Sequence, residues 1–425
     1  MATISNKILN ESYQLIKTDS GLVVGVYSKP EFDSVFAMFA TDFGSVDRKF
    51  KVDGKLVEIP AGVAHFLEHK MFENEDGDAF EKFAKTGANA NAFTTFDRTC
   101  YLFSATENVE RSLDILLSFV TKPYFTQQTV NKELGIIGQE IKMYDDSPGW
   151  RQLFGVLDGL YLNHTVRDDI AGSVESIAKI TPEMLYECAR AFYSPGQMML
   201  CVAGNITADK VLAACERAGF SREVADVERI YPVEPDEINF SEKTIRMPIS
   251  TPMVAIGYKE KMSVPVTAKE EIIGSIIMDV LCGPISDLFT RLYDSNVING
   301  TFEGEVFNGT DYYASIISGE TAQPRLLIEE VDKAVRRLKE EGVSSEDFIT
   351  VKNSLYGNMI VDFENIEEIA SNMVTANFKG RDLYTYLDTI SSVTLDDVNR
   401  QLKMMFREDR KTIFTILPQE SEEYV

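Results

Sequence analysis

Apolar residues alternate, run together or recur at helical spacing in different parts of this chain, and each spacing predicts an element. Residues 13–26 and 34–40 are alternating or apolar stretches on either side of a turn-like Ser-Lys-Pro, as expected of antiparallel strands. Residues 87–94 and 99–105 predict a second pair of strands. Helical spacing of apolar residues is found at 78–85, 109–120 and 127–144. Strands and helices together in one chain indicate the α+β class.

The second half of the chain repeats the pattern of the first. The stretch I-A-K-I-T-P-E-M-L from Ile177 corresponds to I-S-S-V-T-L-D-D-V from Ile390, which lies 213 positions later (390 − 177). In both copies a predicted helix then leads into an apolar strand. We therefore predict two duplicated domains, each an antiparallel sheet with helices packed on one face. Residues 221–239, rich in Glu, Asp and Pro, are predicted to link an N-terminal domain, 1–220, to a homologous C-terminal domain, 240–425.

Composition narrows the possible functions. With 425 residues, 44% of them hydrophobic, the chain is long enough for two domains with separate cores. The formal net charge of −25 argues against nucleic acid or anionic lipid as partners; it favours cationic ligands if the acidic residues line a cavity, although solubility alone explains it equally well. We see no signal-peptide pattern, and no stretch approaches the roughly eighteen apolar residues of a membrane-spanning helix. Five scattered cysteines without C-x-x-C spacing fit a reducing compartment, so we expect a cytoplasmic protein without a membrane partner.

The segment Pro60–Glu73 carries the clearest chemistry. It reads P-A-G-V-A-H-F-L-E-H-K-M-F-E, and the order of His65, Glu68 and His69 inverts the commoner H-E-x-x-H zinc motif. On a helix, residues four apart share a face, so the two imidazoles can bind the same ion. Glu68 lies on that face as well, while Leu67 belongs to an apolar opposite side. The alternative is a pair of core histidines, which would not require a glutamate beside them.

A third metal ligand is expected from another helix, because a catalytic zinc takes three protein ligands and keeps one position open. The predicted helix 127–144 offers Glu133 and Glu140, which are seven residues apart and therefore lie on nearly the same face. One of them can reach the metal while the other supports a ligand by a hydrogen bond. Taken alone, both glutamates would be interpreted as part of a solvated face. No histidine follows His164, which we interpret as structural, so only the first copy can build this site.

These motifs together resemble the insulinase or pitrilysin class of zinc peptidases. The resemblance rests on H-F-L-E-H, on N-A-N-A-F-T-T-F-D-R-T-C-Y at 89–101, and on E-L-G-I-I-G-Q-E-I at 133–141. It is dense in the first half and thinner beyond, and the chain has the size of the smaller, mitochondrial-processing-peptidase-like members. The resemblance implies one Zn2+ per chain with His65, His69 and Glu140 as ligands, Glu68 as the base, Glu133 as a hydrogen-bond support, and Asn91 and Ala92 on an edge strand that pairs with substrate.

One departure from the family pattern concerns the second domain. Active members usually carry there an Arg and, seven residues later, a Tyr that hold substrate over the zinc. The corresponding phrase here ends at Phe302, which puts Ser295 at the place of the arginine, while Arg291 and Tyr293 lie nearby at the wrong spacing. We therefore expect a dimer, in particular a heterodimer with a related subunit that lacks the zinc motif and supplies the missing groups. A homodimer that relies on other residues, such as Arg291 and Tyr312, is the alternative.

The predicted function is a zinc-dependent metalloendopeptidase that cleaves peptides or extended polypeptide segments. In this mechanism zinc activates a water molecule and polarises the scissile carbonyl, while Glu68 takes the proton of the water and passes it to the leaving amine. Two alternatives stay open: a catalytically weak or structural subunit of a heterodimeric peptidase, and a hydrolase of a non-peptide amide.

Overall fold

The computed structural model describes residues 2–75, 77–221 and 225–419. The described chain divides into two compact units, and each unit is assembled from three separate segments. Unit 1 consists of the chain up to Ile141 together with Asp169–Tyr231 and Ile360–Tyr384. Unit 2 consists of Lys142–Asp168, Pro232–Met359 and the chain from Thr385.

The described residues form seventeen strands and fifteen α-helices. The strands are β1 (Ala2–Asn6), β2 (Glu11–Lys17), β3 (Val23–Ser28), β4 (Val35–Thr41), β5 (Lys49–Val52), β6 (Lys55–Glu58), β7 (Glu73–Asn74), β8 (Gly77–Asp78), β9 (Asn89–Thr94), β10 (Thr99–Ala105), β11 (Met198–Gly204), β12 (Val227–Arg229), β13 (Glu242–Met247), β14 (Met253–Lys259), β15 (Glu303–Asn308), β16 (Tyr313–Glu320) and β17 (Lys411–Pro418).

The helices are α1 (Val63–Phe72), α2 (Ala79–Ala84), α3 (Val109–Thr121), α4 (Gln127–Asp145), α5 (Pro148–Leu160), α6 (Val174–Ile177), α7 (Pro182–Phe192), α8 (Ala208–Ala218), α9 (Ala268–Cys282), α10 (Asp287–Asp294), α11 (Pro324–Glu341), α12 (Ser345–Val361), α13 (Ile366–Phe378), α14 (Thr385–Ser392) and α15 (Leu395–Leu402). Short 3-10 helices cover Thr165–Arg167, Pro195–Gln197, Asp362–Glu364 and Glu408–Arg410.

The main sheet of unit 1 has the strand order β1-β2-β3-β11-β4-β10-β9. Strands β3 and β11 are parallel, and every other neighbouring pair in this sheet is antiparallel. Strands β4 and β11 are buried along their whole length, which agrees with their nearly continuous apolar sequences. Strand β9 lies at one edge of the sheet.

The sheet of unit 2 repeats five of these strands in the same order, β13-β17-β14-β16-β15. Its first pair is again parallel and the other pairs are antiparallel. Strand β17 begins at Lys411, which is 213 positions after Met198 at the start of β11, as the sequence repeat predicted. The α+β class with two similar domains is therefore confirmed, and each mainly antiparallel sheet contains one parallel pair.

Helices lie on both faces of each sheet, whereas the sequence predicted helices on one face. In unit 2, a Cβ added to Gly257 of β14 would lie 2.6 Å from Val156 of α5, whereas Ile256, which points to the other face, packs with α9. In unit 1, a Cβ on Gly25 would lie 2.2 Å from Met373 of α13, while Tyr101 on the other face contacts α3. The second face has to be covered because the central strands are apolar on both sides.

The predicted linker, 221–239, takes part in both units. Residues 222–224 lie outside the described part of the chain. Strand β12 pairs with β5 in unit 1, and the Glu234 carboxylate in unit 2 accepts hydrogen bonds from the backbone N–H groups of residues 162–164. The predicted domain boundaries at residues 220 and 240 stay a prediction, since the compact units interleave segments of the chain.

One described segment, Ala268–Asp294, is long and apolar enough to cross a membrane by length and composition alone. The expectation that no stretch approaches this length therefore needs correction. The segment contains α9, whose Ile272, Ile276 and Ile277 side chains are buried in the core of unit 2. A helix that lies in a protein core passes the same test, and core packing explains why α9 is so apolar.

Candidate metal centre

Helix α1 follows β6 in unit 1 and begins directly after Gly62. Gly62 has a left-handed φ of 90°, and a Cβ there would lie 2.4 Å from the backbone oxygen of Ala171, so the position requires glycine. This tight start fixes the register of the helix and therefore the direction of its side chains. Nine of the ten residues of α1 are buried, and these include His65 and Glu68, whereas His69 is partly exposed.

Helices α1 and α4 bring His65, His69 and Glu140 together, which are the three residues predicted as ligands. One ligand atom from each lies within 4.8 Å of the others. Nε2 of His65 is 3.6 Å from Oε1 of Glu140, and Nε2 of His69 is 3.4 Å from Oε2 of the same carboxylate. Both imidazoles thus face one carboxylate through their Nε2 atoms. Among the described residues this is the one group of three that is so arranged.

Glu133, one of the two glutamates of α4, contacts the remaining nitrogen of His69. Its Oε1 atom lies 3.1 Å from Nδ1, so a neutral His69 donates its proton from Nδ1 and leaves the lone pair of Nε2 free for a metal ion. Burial lowers the pKa of His69, but the hydrogen bond with Glu133 and the charges of Glu68, Glu140 and Glu133 together raise it above its ordinary value. Glu133 thus contacts the histidine that it was predicted to support, and the role itself stays a prediction.

Glu68 lies on α1 between the two histidines, with its side chain buried. Its Oε2 accepts a hydrogen bond of 2.6 Å from the hydroxyl of Thr94, the last residue of β9. Burial raises the pKa of Glu68 above its ordinary value, although His65, Thr94 and His69 act in the opposite direction. A carboxyl group with a raised pKa, held beside a candidate metal site, has the properties that a general base requires.

Asn91 and Ala92 lie on the edge strand β9, as predicted. They pair with Leu102 and Tyr101 of β10, and β9 has no second partner among the described strands. The side-chain oxygen of Asn91 accepts a hydrogen bond of 2.9 Å from the backbone N–H of Ala92. The outer side of β9 is therefore available for pairing with an extended segment.

The residues singled out in unit 2 have structural partners. Ser295 follows α10, and its hydroxyl donates to the backbone oxygen of Arg291, 2.7 Å away. The guanidinium of Arg291 binds Asp287 and Glu330, and Phe302 is buried. These contacts show that the three residues have partners or are buried within unit 2, and the expected lack of the family's Arg and Tyr pair stays a prediction.

His164 also serves the fold. Its ring is fully buried, Nδ1 accepts a hydrogen bond from the N–H of Val166, and Nε2 lies 2.9 Å from the carboxylate of Asp311. These bonds engage both ring nitrogens, which agrees with the structural interpretation of His164 from the sequence.

Sequence reasoning missed Thr94. The available signal was its position on β9, two residues after Ala92, because alternate residues of a strand point to the same face. No sequence pattern indicates that this face meets Glu68, since the two residues are 26 positions apart and belong to different elements.

The donor set formed by His65, His69 and Glu140 fits Zn2+. Two imidazole nitrogens and one carboxylate, supplied by two helices, are a ligand set of catalytic zinc sites, and three protein ligands leave one position for water or substrate. The contact between Glu133 and Nδ1 of His69 is the outer hydrogen bond that ligating histidines ordinarily make.

Comparison with known proteins agrees with this fold and identifies the family. A family model described as "Insulinase (Peptidase family M16)" matches residues 54–168, and one described as "Peptidase M16 inactive domain" matches residues 179–355. The chain is 36% identical over 418 residues to a Bacillus subtilis protein named as an uncharacterized zinc protease, YmfH, with 96% of this chain and 97% of the relative covered. This chain belongs to the M16, or insulinase, family of peptidases.

Solved structures show the same fold. A crystal structure of an M16-like peptidase from Alicyclobacillus acidocaldarius matches with a TM-score of 0.92 and 33% identity, over 96% of this chain and 98% of that one. Pitrilysin matches with a TM-score of 0.77 at 17% identity, and the match covers 99% of this chain but 47% of pitrilysin. The resemblance to the insulinase and pitrilysin class is thus confirmed, and the relatives named as zinc proteases support zinc at the level of the family.

Proposed function

We propose that this protein is a zinc-dependent metalloendopeptidase that cleaves peptides or extended polypeptide segments. The observation that carries the proposal is the convergence of His65, His69 and Glu140 within 4.8 Å, with Glu68 on the same helix as the two histidines. His65, His69 and Glu140 would hold one Zn2+ per chain. When bound, zinc supplies a Lewis acid that makes water a nucleophile near neutral pH and polarises a carbonyl group.

The other roles in this mechanism belong to Glu68, Glu133 and the edge strand β9. Glu68 takes the proton from the attacking water and delivers it to the leaving amine, because its buried carboxylate lies beside the two histidines. Glu133 holds the ring of His69 in one tautomer through the contact at Nδ1. Asn91 and Ala92 offer the free edge of β9, where an extended peptide would add as a further strand.

The test is Glu68→Gln, which keeps the shape of the side chain but cannot accept the proton. We expect this variant to retain zinc and to cleave an unstructured peptide pool about 10²- to 10⁴-fold more slowly, the usual effect of losing a general base. Glu81→Gln, the same change on the exposed surface of α2, is the matched control and should leave the rate unchanged. Turnover at the wild-type rate in Glu68→Gln would refute the mechanism, and cleavage of amide substrates but no peptides would favour a non-peptide amide hydrolase.

We further propose that the chain acts in a dimer, in particular with a related subunit that lacks the zinc motif. Support comes from Ser295 and Phe302, which stand where an arginine and a tyrosine are expected and are engaged within unit 2. The isolated chain should bind zinc yet cleave peptides weakly, and the partner should raise the rate without a change in zinc content. Full activity of the isolated monomer would contradict this proposal, and wild-type zinc binding without cleavage in any complex would favour a structural subunit.

A cytoplasmic location is also proposed. All five cysteines are free and buried, as expected of a protein kept in a reducing compartment. Localisation of a tagged chain by cell fractionation would test it.

A further inference from the structure

The contact between Glu68 and β9 assigns a role to a residue outside the metal-binding motif. Thr94 is the last residue of β9, and its hydroxyl lies 2.6 Å from Oε2 of Glu68. The other carboxylate oxygen, Oε1, has no hydrogen-bond partner among the described residues. The two oxygens of Glu68 therefore differ: Thr94 holds one, and the other is left for reacting groups.

The direction of the hydrogen bond follows from the neighbouring hydroxyl. Thr99 faces Thr94 across the β9–β10 pair, and the two Oγ1 atoms are 3.4 Å apart. The fully buried Thr99 donates its own proton to the backbone oxygen of Phe43, 2.9 Å away. Since a hydroxyl has one proton, Thr99 acts toward Thr94 as an acceptor only, and the proton of Thr94 is free to point at the nearer Glu68 oxygen.

The turn that carries Thr94 is held in place from a third segment. The N–H groups of Ser45 and Val46 each donate a hydrogen bond of 3.0 Å, to the backbone oxygens of Thr95 and Phe96. Gly44 packs so closely on this turn that a Cβ would lie 2.3 Å from the Phe96 oxygen. A hydroxyl on such a fixed turn limits the carboxylate it binds to one orientation.

We propose that Thr94 is a positioning residue that holds Oε2 of Glu68 and thereby turns Oε1 toward the water to be deprotonated. Because Thr94 and Ala92 are alternate residues of the same strand, they share one face of β9. The strand proposed to pair with substrate therefore also sets the orientation of the base. This inference rests on the proposed peptidase function.

Thr94→Val removes the hydroxyl and keeps the branched shape. The loss of a hydrogen bond to a charged group should lower kcat by about 10- to 100-fold. KM and zinc content should stay within about twofold, because the orientation of Glu68 matters in the transition state and not in binding. Thr94→Ser keeps the donor and should restore most of kcat. In the Glu68→Gln background, Thr94→Val should leave the affinity for an uncleaved peptide unchanged by calorimetry.

The control is Thr99→Val, which deletes a buried hydroxyl from the same strand pair but does not contact Glu68. An equal loss of kcat in Thr99→Val, or no rescue by Thr94→Ser, would overturn the inference, and so would a lower peptide affinity in the double variant. If Thr94→Val does not fold, the comparison of Thr94→Ala with Thr94→Ser decides in the same way. Failure of the proposed function is distinguishable, because then the wild type itself neither binds zinc nor cleaves peptides.

Discussion

Helices α1 and α9 occupy the same place in the two units and differ in what they bury. Along the chain, each helix comes after a central strand and before an edge strand of its sheet. These strands are β4 and β9 in unit 1 and β14 and β15 in unit 2. Counted from the first helical residue, the third, sixth and seventh positions are His65, Glu68 and His69 in α1, and Glu270, Ile273 and Gly274 in α9.

The packing of α9 shows which side chains a helix at this place in the fold can carry without a metal-binding motif. Gly274 lets the hydroxyl of Tyr313 approach, since a Cβ would lie 2.0 Å from it, and Ile273 is buried in the core. Glu270 accepts from Thr267 in a capping box at the start of α9, whereas α1 begins without a side-chain cap. Ile273 and Gly274 thus stand at the places of Glu68 and His69, so this fold does not require polar side chains at these two positions.

Helices α4 and α12 differ in the same way. When their first residues are aligned, an offset of 218 positions, Val351 stands at the place of Glu133 and Asn358 at the place of Glu140. Val351 is buried and Asn358 is exposed. Unit 2 thus lacks counterparts of the α4 carboxylates and of the α1 histidines. It has the same arrangement of strands and helices but not these candidate metal ligands.

The largest effect on zinc content and peptide cleavage should come from removing the proposed metal ligands in unit 1. His69→Ala and Glu140→Gln each delete one of the three ligands, so zinc content should fall well below one per chain and peptide cleavage by at least about 10²-fold. Metal analysis by mass spectrometry of the purified variants measures the stoichiometry.

The matched control in unit 2 is Asn358→Ala, which changes the residue at the place of Glu140. It should leave zinc content and cleavage unchanged. Wild-type zinc content in both His69→Ala and Glu140→Gln would remove the proposed ligand set, and a loss of zinc in Asn358→Ala would break the distinction between the two units.

The sequence predicted α1 and the spacing of its polar residues because these depend on local geometry. His65, Glu68 and His69 are three or four positions apart, and helical periodicity alone brings them to one face. The repeat at an offset of 213 likewise predicted the duplicated sheet, since it compares the chain with itself. The roles of these residues stay predictions.

Contacts between distant segments were beyond the sequence patterns. The choice of Glu140 over Glu133 as a ligand came from the family resemblance, because both lie on one face of α4 and only the packing against α1 distinguishes them. Periodicity within a helix does not show which sheet the helix covers, so the packing of α5 and α13 on their sheets was not predicted. For the same reason the contact of Thr94 with Glu68 could not be predicted.

The second prediction concerns the stability of unit 2. Gly274→Ala adds a Cβ that would lie 2.0 Å from the hydroxyl of the buried Tyr313 and 2.9 Å from a methyl group of Val306. Overpacking of this kind typically destabilises by about 1–3 kcal/mol. We expect a lower free energy of unfolding by urea denaturation with zinc content unchanged. Unaltered stability would show that α9 is not packed as tightly as described.

The third prediction uses the acidic residue that follows each central strand. Burial raises the pKa of Asp42 after β4 to about 6, and Arg229, 2.9 Å away, opposes the shift. Burial raises the pKa of Glu260 after β14 to about 7, against hydrogen bonds from the N–H of Phe406 and the hydroxyl of Ser315. Glu260 has no ion pair within 4 Å among the described residues, so only these hydrogen bonds and the more distant charges of Lys339 and Arg410 oppose the rise of its pKa.

A carboxyl whose pKa is higher in the folded than in the unfolded state binds more protons when folded. Its contribution to stability is therefore present at low pH and is lost as the pH rises from the unfolded pKa, near 4.5, through about 7. Glu260→Gln should remove this loss, so the variant should gain on the order of 1–2 kcal/mol relative to the wild type between pH 5 and pH 8. Denaturation curves at both pH values measure the difference, and parallel pH dependence of the two proteins would contradict the prediction.

The smallest effect is expected for Gly135→Ala, the counterpart of Gly274→Ala on the other pair of helices. Gly135 lies in α4 on its exposed side, and an added Cβ would meet no atom within 4 Å. Alanine is favoured over glycine in a helix interior by up to about 1 kcal/mol, because glycine loses more backbone freedom on folding. The variant should therefore be slightly more stable than the wild type in urea denaturation, and its zinc content should be unchanged because Glu133 and Glu140 point to the opposite, buried side of α4. The same substitution should thus stabilise the protein in α4 and destabilise it in α9. The difference distinguishes a glycine on an exposed helix surface from a glycine packed in a core. A destabilised Gly135→Ala would contradict the open surroundings of Gly135 and would mean that another group packs closely on this side of α4.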